Sequence, residues 1–152
     1  MSVSTLADQS ILDTTAIRAV FESARQANFD KDPARLVALY APDADIYDLS
    51  PPLAHHGLGF ERKAAWFATW EGPIEIESRD LDLTVSGDLA TAHGYYHMSG
   101  TPRAAGRRIS FWMRATIVLR RNDTGWTIVH EHTSVPFYMD GSLRPAFDLN
   151  PD

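Results

Sequence analysis

The chain has 152 residues, of which 44% are hydrophobic and 11% aromatic, and its formal net charge is -6. A chain of this length folds as one domain and buries about two-thirds of the surface that its unfolded form exposes. The acidic balance argues against the basic face that nucleic-acid binders present. The lack of cysteine excludes disulfides, a thiolate nucleophile and a cysteine-ligated zinc site.

The first dozen residues carry no secretory signal, because they lack a basic segment followed by an apolar one. No apolar stretch approaches the roughly 18 residues that a membrane span requires. We therefore predict a soluble cytoplasmic protein that binds neither membranes nor nucleic acid. Residues 1–12 are predicted to be a flexible leader, and residues 13–152 to be a single domain.

The first half of the domain is predicted to be mainly helical. Asp13 offers an N-cap for a first helix, whose apolar residues recur at helical spacing. Asp32 followed by Pro33 is typical of the start of a second helix. A third helix is predicted over residues 60–70, where a glycine and a proline then end it.

A short strand is predicted over residues 43–49, before two prolines that disfavour helix. From Ile74 onward the pattern changes to alternating strands and tight turns. The later strands are predicted at 74–85, 90–99, 108–121 and 126–135. Three helices packed on one face of a strongly curved, antiparallel, meandering sheet form an α+β cone, and its open end is a natural pocket.

The last predicted strand carries two imidazoles. Strand side chains repeat every two residues, so one face is predicted to hold Trp126, Ile128, His130, His132 and Ser134. Two groups that titrate near neutrality would then stand about 6 to 7 Å apart beside apolar anchors. This arrangement is more typical of a small-molecule pocket wall than of a plain core.

The order of elements and four motifs resemble the SnoaL-like proteins, which are ketosteroid-isomerase-like members of the nuclear-transport-factor-2-like superfamily. The motifs are ALYAPDA at 38–44, DLSPPL at 48–53, WMRAT at 112–116 and WTIVHEHTSVP at 126–136. The resemblance implies the cone fold and a homodimer that associates through the back of the sheet. It leaves the reaction open, because this fold hosts isomerases, dehydratases, cyclases, epoxide hydrolases and association domains.

The resemblance implies a general base at Asp48, since ketosteroid isomerases carry an aspartate at the end of the first strand. The residues themselves agree with this role. A carboxylate that leaves a strand into a proline turn, beside Tyr47 and Leu53, is partly desolvated and suited to proton transfer. The alternative is that Asp48 only caps the turn through backbone N–H groups.

The isomerase oxyanion hole is not retained, because Ala24 and Thr116 occupy the matching positions. Arg114, on the same strand face as Trp112 and Thr116, is the predicted replacement. A guanidinium in a cleft binds a carboxylate in bidentate fashion or stabilises an enolate. The alternative for Arg114 is a surface residue paired with an acid.

His130 and His132 are predicted either as core histidines that donate to backbone carbonyls or as general acid–base groups. A metal site made with Asp48 is not favoured, because no third histidine lies at a diagnostic spacing. The sequence contains no cofactor motif. We therefore expect neither a metal nor a cofactor.

Three functions remain open. The first is an acid–base enzyme, of isomerase or lyase type, that acts on a small apolar oxygenated substrate through catalytic Asp48, Arg114, His130 and His132. The second is a non-catalytic ligand-binding or association domain that recognises a carboxylate-bearing molecule through Arg114. The third, a hydrolase that activates water, matches the fewest residues. The predicted substrate-binding residues are Tyr47, Leu53, Trp66, Tyr95, His97, Trp112, Thr116 and Phe137.

Overall fold

The structure, a computed structural model, describes residues 3–152, with side chains from Thr5 onward. Its elements in chain order are α1 (Val3–Asp30), α2 (Pro33–Val37), β1 (Tyr40–Tyr47), β2 (His55–His56), α3 (Phe60–Ala68), β3 (Trp70–Ser86), β4 (Leu89–Pro102), β5 (Ile109–Asn122) and β6 (Gly125–Ser134). The strands form one sheet in the order β2-β1-β6-β5-β4-β3. The predicted α+β class, with three helices and a curved open sheet, is confirmed.

Strands β3 to β6 form the predicted antiparallel meander, and tight turns join β3 to β4 and β5 to β6. One pairing departs from the antiparallel prediction. Strand β1 runs parallel to β6, with Ile46 opposite Glu131 and Tyr47 opposite His132. The two strands are far apart in the chain, so no hairpin forces them to be antiparallel.

A bulge in β3 bends the sheet. The register between β3 and β4 shifts between Arg79 and Asp82, and Asp80 has a φ of 54°. Gly94 of β4 lies directly under this bulge, where an added Cβ would stand 2.7 Å from the Asp80 carbonyl oxygen. Bulges increase local twist and bend a strand, so the sheet curves round α1 and leaves a concave and a convex face.

Helix α1 begins earlier than predicted. It starts at Val3 instead of near Asp13, so residues 3–12, which were expected to form a loose leader, are helical; residues 1–2 lie outside the described part. The segment contains neither glycine nor proline, so nothing interrupts it. Asp13 accepts a hydrogen bond from Gln9 Nε2 at 3.0 Å and pairs with Arg121 Nη1 at 2.5 Å, rather than capping a helix.

The other two helices lie where they were predicted. The Asp32 side chain accepts a hydrogen bond from the Arg35 backbone N–H at 3.0 Å, which confirms the predicted cap of α2. Helix α3 ends at Ala68, two residues short of the predicted end, because Trp70 already belongs to β3. No helix within residues 3–152 is long and apolar enough to cross a membrane.

The core has two parts on the concave face. At one end, Ile17 of α1 packs on Ala92, Ile117 and Leu119 of the sheet, and all four are buried. At the other end, side chains of α1, α2, α3 and the strands form a second cluster. This second cluster does not fill the cone, and it becomes the wall of a cavity.

Candidate active site

A cavity of about 550 Å³ lies between the concave face of the sheet and helices α1 and α3. This volume is in the range of small-molecule sites. Most of its wall is apolar, and its apolar residues include Phe21, Leu36, Ile46, Trp66, Trp70, Ile76, Met98, Phe111 and Met113. Its polar groups include two carboxylates, a lysine and two tyrosines, and these decide what chemistry it can support.

Glu131 of β6 is the most strongly perturbed acid in the cavity. The pKa of its carboxyl is raised from 4.5 to about 7, mainly by burial and also by the nearby charge of Asp48. The hydroxyl of Tyr40, which donates to Oε2 at 3.0 Å, and the charge of Lys63 act in the opposite direction. A carboxyl with a pKa near 7 can both give and take a proton at neutral pH.

Asp48 lies where the sequence predicts it, just beyond the end of β1 and at the cavity wall. Its side chain is more exposed than that of Glu131. The two carboxylates are close enough for the charge of Asp48 to disfavour ionisation of Glu131. A neighbouring like charge makes a carboxyl keep its proton to a higher pH, which is the direction of the shift at Glu131.

Lys63 is the cavity's amine. It lies on α3, one turn before Trp66, and its Nζ stands 4.4 Å from the centre of that indole ring. Burial lowers the pKa of the Lys63 ammonium, although the charges of Asp48 and Glu131 oppose this shift. Among the described side chains it takes part in no ion pair and no hydrogen bond, so its nitrogen is available to a ligand.

Two tyrosines complete the polar end of the cavity. Burial raises the pKa values of Tyr40 and Tyr96 well above 10, and the charge of Glu131 adds to both shifts. Both phenols are therefore neutral hydrogen-bond donors over the physiological range. Ala24 lines the cavity at the position where the resemblance places the missing oxyanion tyrosine, and the tyrosines and Lys63 supply donors there instead.

The two predicted histidines face away from the cavity. Leu119 of β5 pairs with Ile128 of β6, but Val118, the neighbour of Leu119, pairs with His130. Val129 is therefore an extra residue in β6. This bulge reverses the alternation: Ile128 faces the concave core, whereas His130 and His132 lie on the convex face. Their rings pack at 4.8 and 5.4 Å against Tyr47, and His130 Nδ1 is 2.8 Å from the Asp45 carbonyl oxygen.

Arg114 is also on the convex face, where its Nε donates to Ser134 Oγ at 3.1 Å and its side chain is exposed. The prediction that Asp48, Arg114, His130 and His132 converge on one hollow is therefore wrong. The sequence of β5 carries a pattern that predicts this position of Arg114. On the face opposite to Arg114 the strand has the apolar residues Met113, Ala115, Ile117 and Leu119, all of which are buried.

Of the predicted substrate-binding residues, Trp66 alone lines the cavity. Five of them lie on the convex face with Arg114 and the two predicted histidines. The His97 and Trp112 rings are 4.7 Å apart, and the Tyr47 ring contacts both histidines. Tyr95 lies opposite Arg114, and Thr116 lies opposite His132. The other two lie on loops, where Leu53 is 97% and Phe137 59% exposed. For the five strand residues, the sequence analysis chose the right strands but the wrong face of the sheet.

The sequence analysis missed Tyr40 and Lys63 and considered Glu131 only as a partner for Arg114. A lysine three residues before a tryptophan on an amphipathic helix is a usable signal for Lys63. For Glu131 the decisive feature is the bulge, which leaves no local mark in the sequence. No cluster of three or more His, Asp or Glu side chains in the described part of the chain has the arrangement of a metal site.

Comparison with known proteins places the chain in a family. A family model described as the SnoaL-like domain matches residues 15–138. A structure of an NTF2-like protein of unknown function from Pseudomonas putida KT2440 shares 30% identity, covering 93% of this chain and 98% of that one, with a TM-score of 0.80. The comparison with curated proteins returned no match.

Two more distant structures show the same fold. An NTF2-like superfamily protein from Salmonella enterica serovar Typhimurium LT2 is 18% identical over 88% of this chain and 97% of its own, with a TM-score of 0.73. A candidate dehydratase of the NTF2-like family from Streptomyces avermitilis is 20% identical over 81% and 95%, with a TM-score of 0.70.

Proposed function

Because this chain belongs to the SnoaL-like domain family, we propose that it is an acid–base enzyme that acts on a small, largely apolar, oxygen-bearing molecule held in the cavity. The observation that carries the proposal is the Glu131 carboxyl, whose pKa of about 7 suits proton transfer and which is held by the Tyr40 hydroxyl inside an apolar chamber. The expected reaction is an isomerisation or an elimination.

Glu131 is the proposed proton-transferring residue. In its ionised form it accepts a proton from a carbon next to the substrate's carbonyl group, and in its protonated form it returns the proton to another atom. The oxygen of the substrate gains negative charge during the first step. The Lys63 ammonium and the neutral Tyr96 phenol line the same cavity and can stabilise that charge.

Asp48 has a different proposed role. Its nearby charge raises the pKa of Glu131, and it gives a second carboxylate at the cavity wall. This preserves the sequence-based interpretation of Asp48 as part of the site, but not as the only base. Arg114, His130 and His132 have no part in the proposed chemistry, since the sheet separates them from the cavity.

A ligand-binding domain without catalysis is the second candidate, and the charge of the cavity favours it. The charged lining residues are four cations, Arg18, Arg25, Arg62 and Lys63, and three acids, Glu22, Asp48 and Glu131. The lining therefore sums to +1 with all groups ionised, although the chain as a whole carries -6. Such a local excess attracts an anion, so a carboxylate ligand would be held by Lys63 instead of Arg114.

Replacing Glu131 with glutamine separates the two functions. Glutamine keeps an acceptor for the Tyr40 hydroxyl but cannot transfer a proton. Ligands are first found by thermal shift with enolisable ketones, hydroxylated aromatics and short carboxylates, since a bound ligand stabilises the fold. For an enzyme we expect Glu131→Gln to bind within a few-fold of the parent and to lose at least about tenfold in turnover.

The matched control is His132→Gln, which changes the next residue in β6 but on the convex face. This variant is expected to keep full turnover. If the parent protein turns over none of the ligands that it binds in the cavity, the binding domain is supported. If His132→Gln removes turnover while Glu131→Gln leaves it unchanged, the proposed site is wrong.

We also propose that the convex face binds a second copy of the chain, as the family resemblance implies. The face exposes aromatic and imidazole groups, and it carries both signs of charge, with Arg79 and Arg114 beside Glu77 and Asp82. A two-fold contact brings such mixed patches together with their own opposites. Light scattering should give the mass of a dimer for the parent protein. The Tyr95→Glu variant should be a monomer with an unchanged cavity. A monomeric parent protein would contradict the proposed dimer.

A further inference from the structure

Lys63 differs from the other lysine of the chain in the surroundings of its amine. It is one of only two lysines in the chain. The other, Lys31, is engaged, because its Nζ donates to the Trp70 carbonyl oxygen at 3.0 Å. Lys63 instead ends in the cavity beside an indole face, with no ion pair or hydrogen bond among the described side chains. The structure therefore has one lysine whose amine is engaged by a backbone carbonyl and one whose amine faces the largely apolar cavity.

We propose that Lys63 forms a Schiff base with an aldehyde or ketone that enters the cavity, and that Glu131 is the acid that assists the dehydration. The inference shares its cavity, and the proton transfer of Glu131, with the proposed function. It extends that function by naming carbonyl compounds as the ligand class and a covalent bond as the mode of binding.

The surroundings of Lys63 favour the neutral amine that this reaction needs. Burial in the apolar wall disfavours the ammonium form and lowers its pKa, and this effect exceeds the opposing attraction of Asp48 and Glu131. Desolvation of a lysine in an apolar pocket is a known way to make it nucleophilic. Ionised Glu131 accepts the proton that the ammonium releases and holds it for the dehydration step.

The chemical steps balance within the cavity. The Nζ lone pair attacks the carbonyl carbon, the C–N bond forms as the C=O π bond opens, and the proton that the nitrogen loses passes to the carbonyl oxygen to give a neutral carbinolamine. The protonated Glu131 carboxyl then donates a proton to the carbinolamine hydroxyl, which leaves as water while the C=N bond forms. The product is a cationic iminium whose charge is stabilised by the two carboxylates. No oxidant, metal or further reactant is needed.

The chain offers an internal control, because Lys31 and Lys63 can be compared in one sample. The protein is incubated with benzaldehyde and sodium cyanoborohydride, which reduces the iminium and leaves one benzyl group on the amine, and the site is identified by peptide mass mapping. We expect Lys63 to be labelled at least about tenfold faster than Lys31. The amino terminus is scored separately, because an α-amine has a lower ordinary pKa than a lysine.

Three variants and one condition decide the result. Lys63→Arg, which keeps the positive charge, should lose the fast labelling, whereas Lys31→Arg should keep it. Glu131→Gln should slow labelling of Lys63 by about tenfold without moving it to Lys31. In urea, where the cavity is lost, the two lysines should react alike.

The proposal is overturned if Lys63 reacts no faster than Lys31, or if its advantage survives unfolding. It also fails if the Lys63→Arg protein keeps the fast phase. These results are separate from the test of the proposed function: a protein in which Lys63 is unreactive, but which loses turnover in the Glu131→Gln variant, keeps its acid–base role and loses only the covalent step.

Discussion

Raising the pH from about 4.5 to about 8 is expected to lower the free energy of unfolding by on the order of 3 kcal/mol through the Glu131 carboxyl alone. In the unfolded chain this carboxyl loses its proton near 4.5, but in the folded protein it keeps the proton until about 7. Between these values the folded state binds more protons than the unfolded state. The stabilisation is therefore complete below the lower pKa and is lost as the pH rises through the upper one.

The measurement is urea unfolding at several pH values, with the parent protein and the Glu131→Gln variant compared at each. The difference between the two removes the contribution of the other acids. Glu75→Gln is the opposing control, because the hydrogen bond from Arg108 holds the pKa of Glu75 below its ordinary value. Its contribution should be lost as the pH falls, the reverse of Glu131. A difference for Glu131 that does not change with pH would show that its carboxyl is not desolvated.

The second large effect is expected at Gly94, where replacement by alanine should lower the free energy of unfolding by about 1–3 kcal/mol. The new Cβ would stand 2.7 Å from the Asp80 carbonyl oxygen and 2.9 Å from that of Arg79. Both atoms belong to the backbone of the β3 bulge, so neither can move away as a flexible side chain would. An ordinary glycine-to-alanine change that the backbone tolerates stabilises a protein by about 0.4–1 kcal/mol, so the expected sign is reversed here.

Gly87→Ala provides the comparison for Gly94→Ala. Gly87 has a φ of 59°, but nothing lies within 4 Å of its added Cβ. This variant therefore carries only the backbone strain of the left-handed conformation, about 1–2 kcal/mol. Urea unfolding of both variants at one pH measures the two costs. A Gly94→Ala protein as stable as the parent would contradict the close approach of β4 to the bulge backbone.

Those parts of the fold that have local causes were predictable. The aspartate–proline pair at the start of α2 and the turns between the long strands depend on residues next to one another, and both predictions are confirmed. The start of α1 was wrong because Asp13 resembles a cap but is used in a contact with Arg121, a residue far away in the chain. The parallel pairing of β1 with β6 likewise depends on residues that are distant in sequence.

The site could be predicted only in part, for a physical reason. The rule that strand side chains alternate correctly grouped Trp112, Arg114 and Thr116 on one face, but it could not say which face is concave. The rule failed in β6, since the extra residue Val129 is specified by pairing with β5 and not by its own neighbours. Asp48 was placed at the cavity wall because the resemblance to the isomerases puts an aspartate at the end of the first strand, and a proline turn also marks that end.

The single unpaired residue in β6 also bears on how this chamber can change during evolution. Deletion of Val129 would remove the bulge but keep both flanking pairs, Leu119 with Ile128 and Val118 with His130, so the acid would still face the chamber and the imidazoles the convex face. A one-residue slip of the segment that follows Ile128, which would put Val129 opposite Val118, would instead turn the imidazoles inward and expel the acid. The strand register, and not the identity of the residues alone, therefore decides whether an acid or two imidazoles face the chamber.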